Sequence, residues 1–142
     1  MLGMENDFAS GIPFTRDSTK AIILDMFAAG TDTSSIVSEW AMSELVRHPE
    51  VMEKVQKEIR EIAGSRQIIK ENDTEEMRYL KAVIKETLRL HPPAPLLTPR
   101  KSIEKVQMHG YDIPAKTTIL INAFAIGRDR LWWEDPNKFW PE

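Results

Sequence analysis

The chain has 142 residues, 19 of them basic and 22 acidic, for a formal charge of −3. That length suggests one ordinary domain, the 42% hydrophobic content suffices for a globular core, and the lack of basic excess argues against nucleic acid as a partner. A cysteine count of zero excludes a disulfide framework, a Cys-ligated zinc or iron–sulfur site and a cysteine nucleophile. The longest uncharged apolar run, Thr117 to Gly127, is 11 residues, short of the roughly 18 to 20 that span a bilayer. Met1 to Ser10 lacks the basic and apolar regions of a signal peptide.

The first predicted element is a long amphipathic helix from Thr15, its N-cap, to Arg47, with Ile23, Met26, Phe27, Val37, Trp40, Ala41 and Leu45 at helical spacing. Its middle, Gly30 to Ser35, is a run of six poor helix formers. One reading is a break, with Gly30 just past the end of one helix and a Thr or Ser capping the next. The other is a continuous helix, because the apolar stripe stays in phase across the run. Gly30 and Ser34 then fall on the buried stripe, Thr33 on its flank and Asp32 opposite. Such a helix leaves a gap against its backbone, with a hydroxyl and a carboxylate beside it that can carry protons.

Pro49 opens a second helix with the stripe Val51, Val55, Ile59, Ile62, the (i, i+4) pairs Glu53–Lys57 and Lys54–Glu58, and Gly64 as its stop. Asp73 and Glu76 read as a capping box for a third, whose apolar face is Met77, Leu80, Val83, Ile84 and Thr87, and which ends by Pro92. Glu86 and Arg89 on it point away from that face, toward solvent or a polar partner. Two prolines fall in the first 91 residues and seven in the last 51, so the remainder should be turns and strands. Lys105–Met108 and Thr117–Asn122 read as short strands around a His109-Gly110 turn. The overall class is mainly α with a small β part. His48, His91 and His109 share no helical face, so no metal site is expected from them.

Four motifs in order carry a resemblance: Ala29-Gly30-Thr31-Asp32-Thr33-Ser34, Lys85-Glu86-Thr87-Leu88-Arg89-Leu90-His91-Pro92, Pro99-Arg100 and Phe139-Trp140-Pro141-Glu142. Together they resemble the cytochrome P-450 family, haem-thiolate monooxygenases. Tyr111-Asp112-Ile113-Pro114-Ala115 is most similar to its plant microsomal branch, of secondary metabolism, and the likeness covers roughly Phe14 to Glu142. The resemblance implies that the first helix is the continuous I helix, with the J and K helices following. Asp32 and Thr33 match the pair that relays protons to dioxygen, Ala29 and Gly30 the haem-facing backbone, and Ala28, Thr31, Leu96 and Leu97 the substrate pocket. Arg100 matches a haem-propionate partner. Glu86 and Arg89 match a structural lock whose third member, an arginine in a Pro-Glu-Arg-Phe segment, would follow Glu142, as would the loop bearing the axial cysteine.

The chain is therefore expected to be part of a haem domain with no complete independent domain, and inactive alone for want of the thiolate. The resemblance further implies haem as cofactor, NADPH-cytochrome P-450 reductase and a small apolar substrate as partners, and the cytosolic face of the endoplasmic reticulum membrane as location. Two other readings stand beside it. One is a non-enzymatic remnant or interaction module that offers the apolar helix face. The other is a helical module with a polyproline ligand at Pro92 to Arg100.

Overall fold

A computed structural model describes residues 15–66 and 68–142. The chain forms two compact units, Met1–Ser35 and Ile36–Glu142. Helix α1 (Arg16–Arg47) begins in the first and ends in the second.

In the first unit Thr15 caps α1, its Oγ1 accepting from the Ser18 amide at 3.1 Å. The run from Gly30 to Ser35 stays helical. Two of its hydroxyls turn back onto the helix: Thr33 Oγ1 donates to the Ala29 carbonyl at 2.6 Å, and Ser35 Oγ to that of Thr31 at 3.0 Å. Such local bonding lets Ser and Thr occupy a helix interior. The break reading is thereby set aside. The one-stripe reading also needs correction, because Ile22, Ile23 and Leu24 are all exposed and successive helical residues lie about 100° apart. Apolar surface runs around this part of α1 and is not confined to a single face.

The second unit holds the core, made of Leu45, Val51, Val55, Val83, Leu90 and Phe139, with Met52, Ile59, Tyr79 and Leu80 packed against it. Helix α2 (Pro49–Ala63) opens on its proline and closes at Gly64, whose φ of +58° is one that glycine adopts without steric penalty. The expected side-chain pairs along α2 are replaced. Lys54 pairs with Glu142, Lys57 reaches Glu61 at 4.0 Å, and Glu58 turns to the next helix. Asp73 does not cap that helix, because Glu71–Glu75 forms its own 3₁₀ turn. There the Asp73 carboxylate accepts from the Lys70 amide at 2.8 Å and pairs with Arg66 at 2.8 Å. The Lys70 amide first, and Arg66 second, hold its carboxyl below the ordinary aspartate value.

Helix α3 (Arg78–Leu90) is capped from α2 instead. Glu58 accepts from the amides of Tyr79 and Leu80 at 2.8 and 2.9 Å, placing a carboxylate on the positive end of the helix dipole. The buried face of α3 is Val83, Glu86, Thr87 and Leu90. It is turned relative to the expected stripe, so Ile84 is exposed and Glu86 lies inside.

Two short antiparallel sheets follow. β1 (Arg100–Lys101) pairs with β4 (Thr118–Ile119), and β2 (Val106–Met108) with β3 (Tyr111–Ile113). The pairing differs from the expected one for a geometric reason. His109 and Gly110 both have positive φ, 50° and 83°, the two-residue turn that brings the very next residues back into register. Asn122 belongs to no strand; its Oδ1 accepts from the Ala125 amide at 2.9 Å and caps α4 (Ala123–Ile126). No helix among the described residues is long and apolar enough to cross a membrane. The class, mainly α with a small β part, is as the sequence implied.

Candidate active site

The residues singled out by sequence fall into three groups. The first lies on α1. Ala28 to Thr33 occupy about a turn and a half of helix, all exposed, and a side chain added at Gly30 would meet nothing within 4 Å. The Thr33 hydroxyl proton is spent on the Ala29 carbonyl, which leaves its oxygen lone pairs to accept from an incoming donor. Asp32 places an exposed carboxylate one residue before it. Met26, Phe27, Gly30 and Thr31 line one hollow on this helix.

The second group is Glu86 with Arg89, and here the geometry is closed. The Arg89 guanidinium donates all five of its N–H groups. Nε and Nη2 go to the Glu86 carboxylate at 2.7 and 2.6 Å. Nη1 goes to the carbonyls of Gly127 and Pro136 at 2.6 and 2.7 Å, and Nη2 also to that of Lys138 at 2.9 Å. Glu86 in return accepts the Trp140 amide at 2.9 Å. Both side chains are 8% exposed, and the Trp133 ring lies 4.6 Å from the guanidinium carbon. A fixed planar fork suits this task where an ammonium could not reach five acceptors. Gly127 is required here, since a Cβ would lie 2.6 Å from the Arg89 carbonyl oxygen. Among the described residues, the carbonyls of Gly127, Pro136 and Lys138 complete the acceptors of Arg89.

Arg128 extends the network by donating from Nη2 to the Leu90 carbonyl at 2.5 Å, with Phe124 3.8 Å from its guanidinium carbon. Burial, and secondarily the like charge of Arg89, lower its pKa from the usual arginine value.

The third group follows α3. Leu96 and Leu97 are nearly half exposed, and Leu97 has φ of +52°, a left-handed conformation that side chains other than glycine rarely take. The Leu97 amide donates to the Ala94 carbonyl at 3.0 Å, and the Phe124 amide to that of Pro95 at 3.2 Å. Arg100 is exposed at the start of β1, opposite Ile119.

One cluster escaped the sequence reading. Glu44 on α1 is only 5% exposed. Its Oε1 meets His91 Nε2 at 2.7 Å, its Oε2 lies 3.4 Å from His48 Nδ1, and its carbonyl oxygen lies 2.9 Å from that same nitrogen. The His91 ring stacks on Trp40 with centroids 3.8 Å apart and 4° between planes. The available signal was a carboxylate at the i+7 place of the stripe Val37, Trp40, Ala41, Leu45.

Comparison with known proteins fits this geometry. The chain is 55% identical over 131 residues to germacrene A hydroxylase of Barnadesia spinosa, covering 92% of this chain and 26% of that one. It is 51% identical over 142 residues to 5-epiaristolochene 1,3-dihydroxylase of Nicotiana tabacum, covering 100% of this chain and 28% of that one. The chain thus spans less than a third of the length of these curated relatives. A zebrafish cytochrome P450 solved with abiraterone superposes with a TM-score of 0.83 at 30% identity, covering 90% of this chain and 31% of that one. The sequence model of cytochrome P450 matches residues 1–142, including those before Phe14. The chain belongs to the cytochrome P450 family.

Proposed function

We propose that this chain is part of the haem domain of a monooxygenase that inserts one atom of dioxygen into a small apolar molecule and releases the other as water. The reaction consumes two electrons and two protons. NADPH-cytochrome P450 reductase supplies the electrons, and the whole protein works at the cytosolic face of the endoplasmic reticulum membrane. The relatives named as a hydroxylase and a dihydroxylase support the reaction class.

The observation that carries this reading is the state of α1 between Ala29 and Thr33. The helix is unbroken, side-chain bulk is missing at Gly30, and an exposed carboxylate adjoins a hydroxyl whose oxygen can still accept. Asp32 takes up a proton at its carboxylate, and Thr33 Oγ1 accepts a hydrogen bond from the water or acid that passes it on. By the family resemblance, Ala28 and Thr31 on α1, and separately Leu96 and Leu97 after α3, are assigned to substrate contact.

The donor set fits haem in part. Ala29 and Gly30 would lie against its face, and the exposed guanidinium of Arg100 would pair with a propionate. The chain has no thiol among its 142 residues, so the axial thiolate is not among them. Haem, when bound, supplies the oxygen activation. We hold the 142-residue chain inactive by itself. Reconstituting it with haem, reductase and NADPH should give no hydroxylated product and no thiolate-type Soret band in the reduced carbon monoxide complex; either one would refute that statement.

In the full-length haem protein, Asp32→Asn should lower product formation by about 10²-fold, the scale of a lost acid–base group. Product formation within twofold of the parent would remove Asp32 from the proton path.

A further inference from the structure

We propose that Glu44 is a positioning residue that, through His91, fixes the segment carrying Leu96 and Leu97. Glu44 and Trp40 sit one turn apart on α1 and grip the same imidazole, Glu44 by a hydrogen bond at 2.7 Å and Trp40 by flat stacking at 3.8 Å. His91 is the residue at which α3 ends, its amide donating to the Thr87 carbonyl at 2.7 Å. Pro92-Pro93-Ala94-Pro95 follows at once, and proline's fixed φ transmits the direction set at His91 along the chain.

The far end of that stretch is held by the Phe124 amide on the Pro95 carbonyl. Two residues past the second anchor Leu97 takes its left-handed backbone. A conformation so costly for leucine persists only where the surroundings impose it, and such strain gathers at ligand-binding places. A carboxylate this buried needs partners, and both of its oxygens face histidines, His91 and His48. The other charged group on the adjoining start of α2 is Glu50, which is exposed.

The consequence for substrate selection rests on the proposed role of Leu96 and Leu97, but the positioning itself does not. Hydrogen exchange on the full-length haem protein, without substrate, reads it directly. In Glu44→Ala the amides of Leu97 and Phe124 should exchange roughly tenfold faster while those of Val55 and Ile59 in α2 hold their rates, and Glu44→Gln should restore part of the protection. Trp40→Leu, at a half-exposed position, provides the second test should Glu44→Ala fail to fold. It should speed the same two amides by about threefold, again without α2. Unchanged rates at Leu97 and Phe124, or an equal rise at every amide, would overturn the proposal. Either result would leave the substrate-facing reading of Leu96 and Leu97 standing. That reading fails separately if Leu97→Ala leaves the product spectrum of the full-length enzyme unaltered.

Discussion

The stretch from Gly30 to Ser35 and the Glu86–Arg89 network are built on opposite plans. The first is exposed, small and polar, and it satisfies the hydroxyls of Thr33 and Ser35 within the helix, leaving the Asp32 carboxylate and hydroxyl lone pairs exposed. In the second, every guanidinium hydrogen has an acceptor, and carbonyls from 38 to 49 residues away converge on one side chain. The comparison separates groups left open, where the proposed proton path lies, from groups saturated by the chain around them. Charged residues carry both, and only the number of satisfied bonds tells them apart.

The largest effect expected from this contrast is at Arg89. Removing one partner of a buried ion pair strands the other, a loss of about 3 to 5 kcal/mol. Arg89→Ala should therefore leave the second unit without a cooperative denaturant transition. Gly127→Ala comes next, because the new Cβ meets backbone that cannot swing aside. A loss of about 1 to 3 kcal/mol, the range for overpacking, should appear as a lower urea midpoint at unchanged slope.

Glu58→Ala removes the acceptor from the start of α3 and should cost about 1 kcal/mol, measurable in the same denaturation. Thr33→Ala should change stability by no more than about 0.5 kcal/mol, since it frees no buried group. A loss comparable to that of Arg89→Ala would erase the distinction between the two regions.

The smallest effect concerns acid. The Asp73 carboxyl titrates below its ordinary value in the folded chain, so its contribution is complete above the unfolded value and is lost as pH falls through the folded one. Asp73→Asn should flatten that acid limb, visible in a pH titration of the 3₁₀ turn by NMR.

Helix limits were legible because the signals are local: the Thr15 hydroxyl, Pro49 at an N-terminus, Gly64 past an end, Pro92 after an end. What was hidden depends on partners distant in sequence. Glu58 caps a helix 21 and 22 residues away, and Glu44 meets His91 47 residues on. Neither leaves a trace in periodicity beyond a carboxylate on an apolar stripe. The burial of Glu86 likewise goes with distant partners, since the Trp140 amide donates to it and the carbonyls of Gly127, Pro136 and Lys138 hold the Arg89 that pairs with it. The hairpin was misassigned because two positive φ values at His109 and Gly110, of which only the glycine is suggestive, decide which residues pair. Asp32 and Thr33 stand out as candidates because six poor helix formers in phase with a stripe are a local anomaly.

The division of labour between the two regions is tested most directly by product formed per NADPH consumed, measured together with haem content, in the full-length protein carrying Asp32→Asn or Arg89→Lys. Asp32→Asn should keep its haem content and lose coupling, whereas Arg89→Lys should lose haem content while the remaining holoenzyme stays coupled. The reverse pattern, haem lost with Asp32→Asn and coupling lost with Arg89→Lys, would contradict the account.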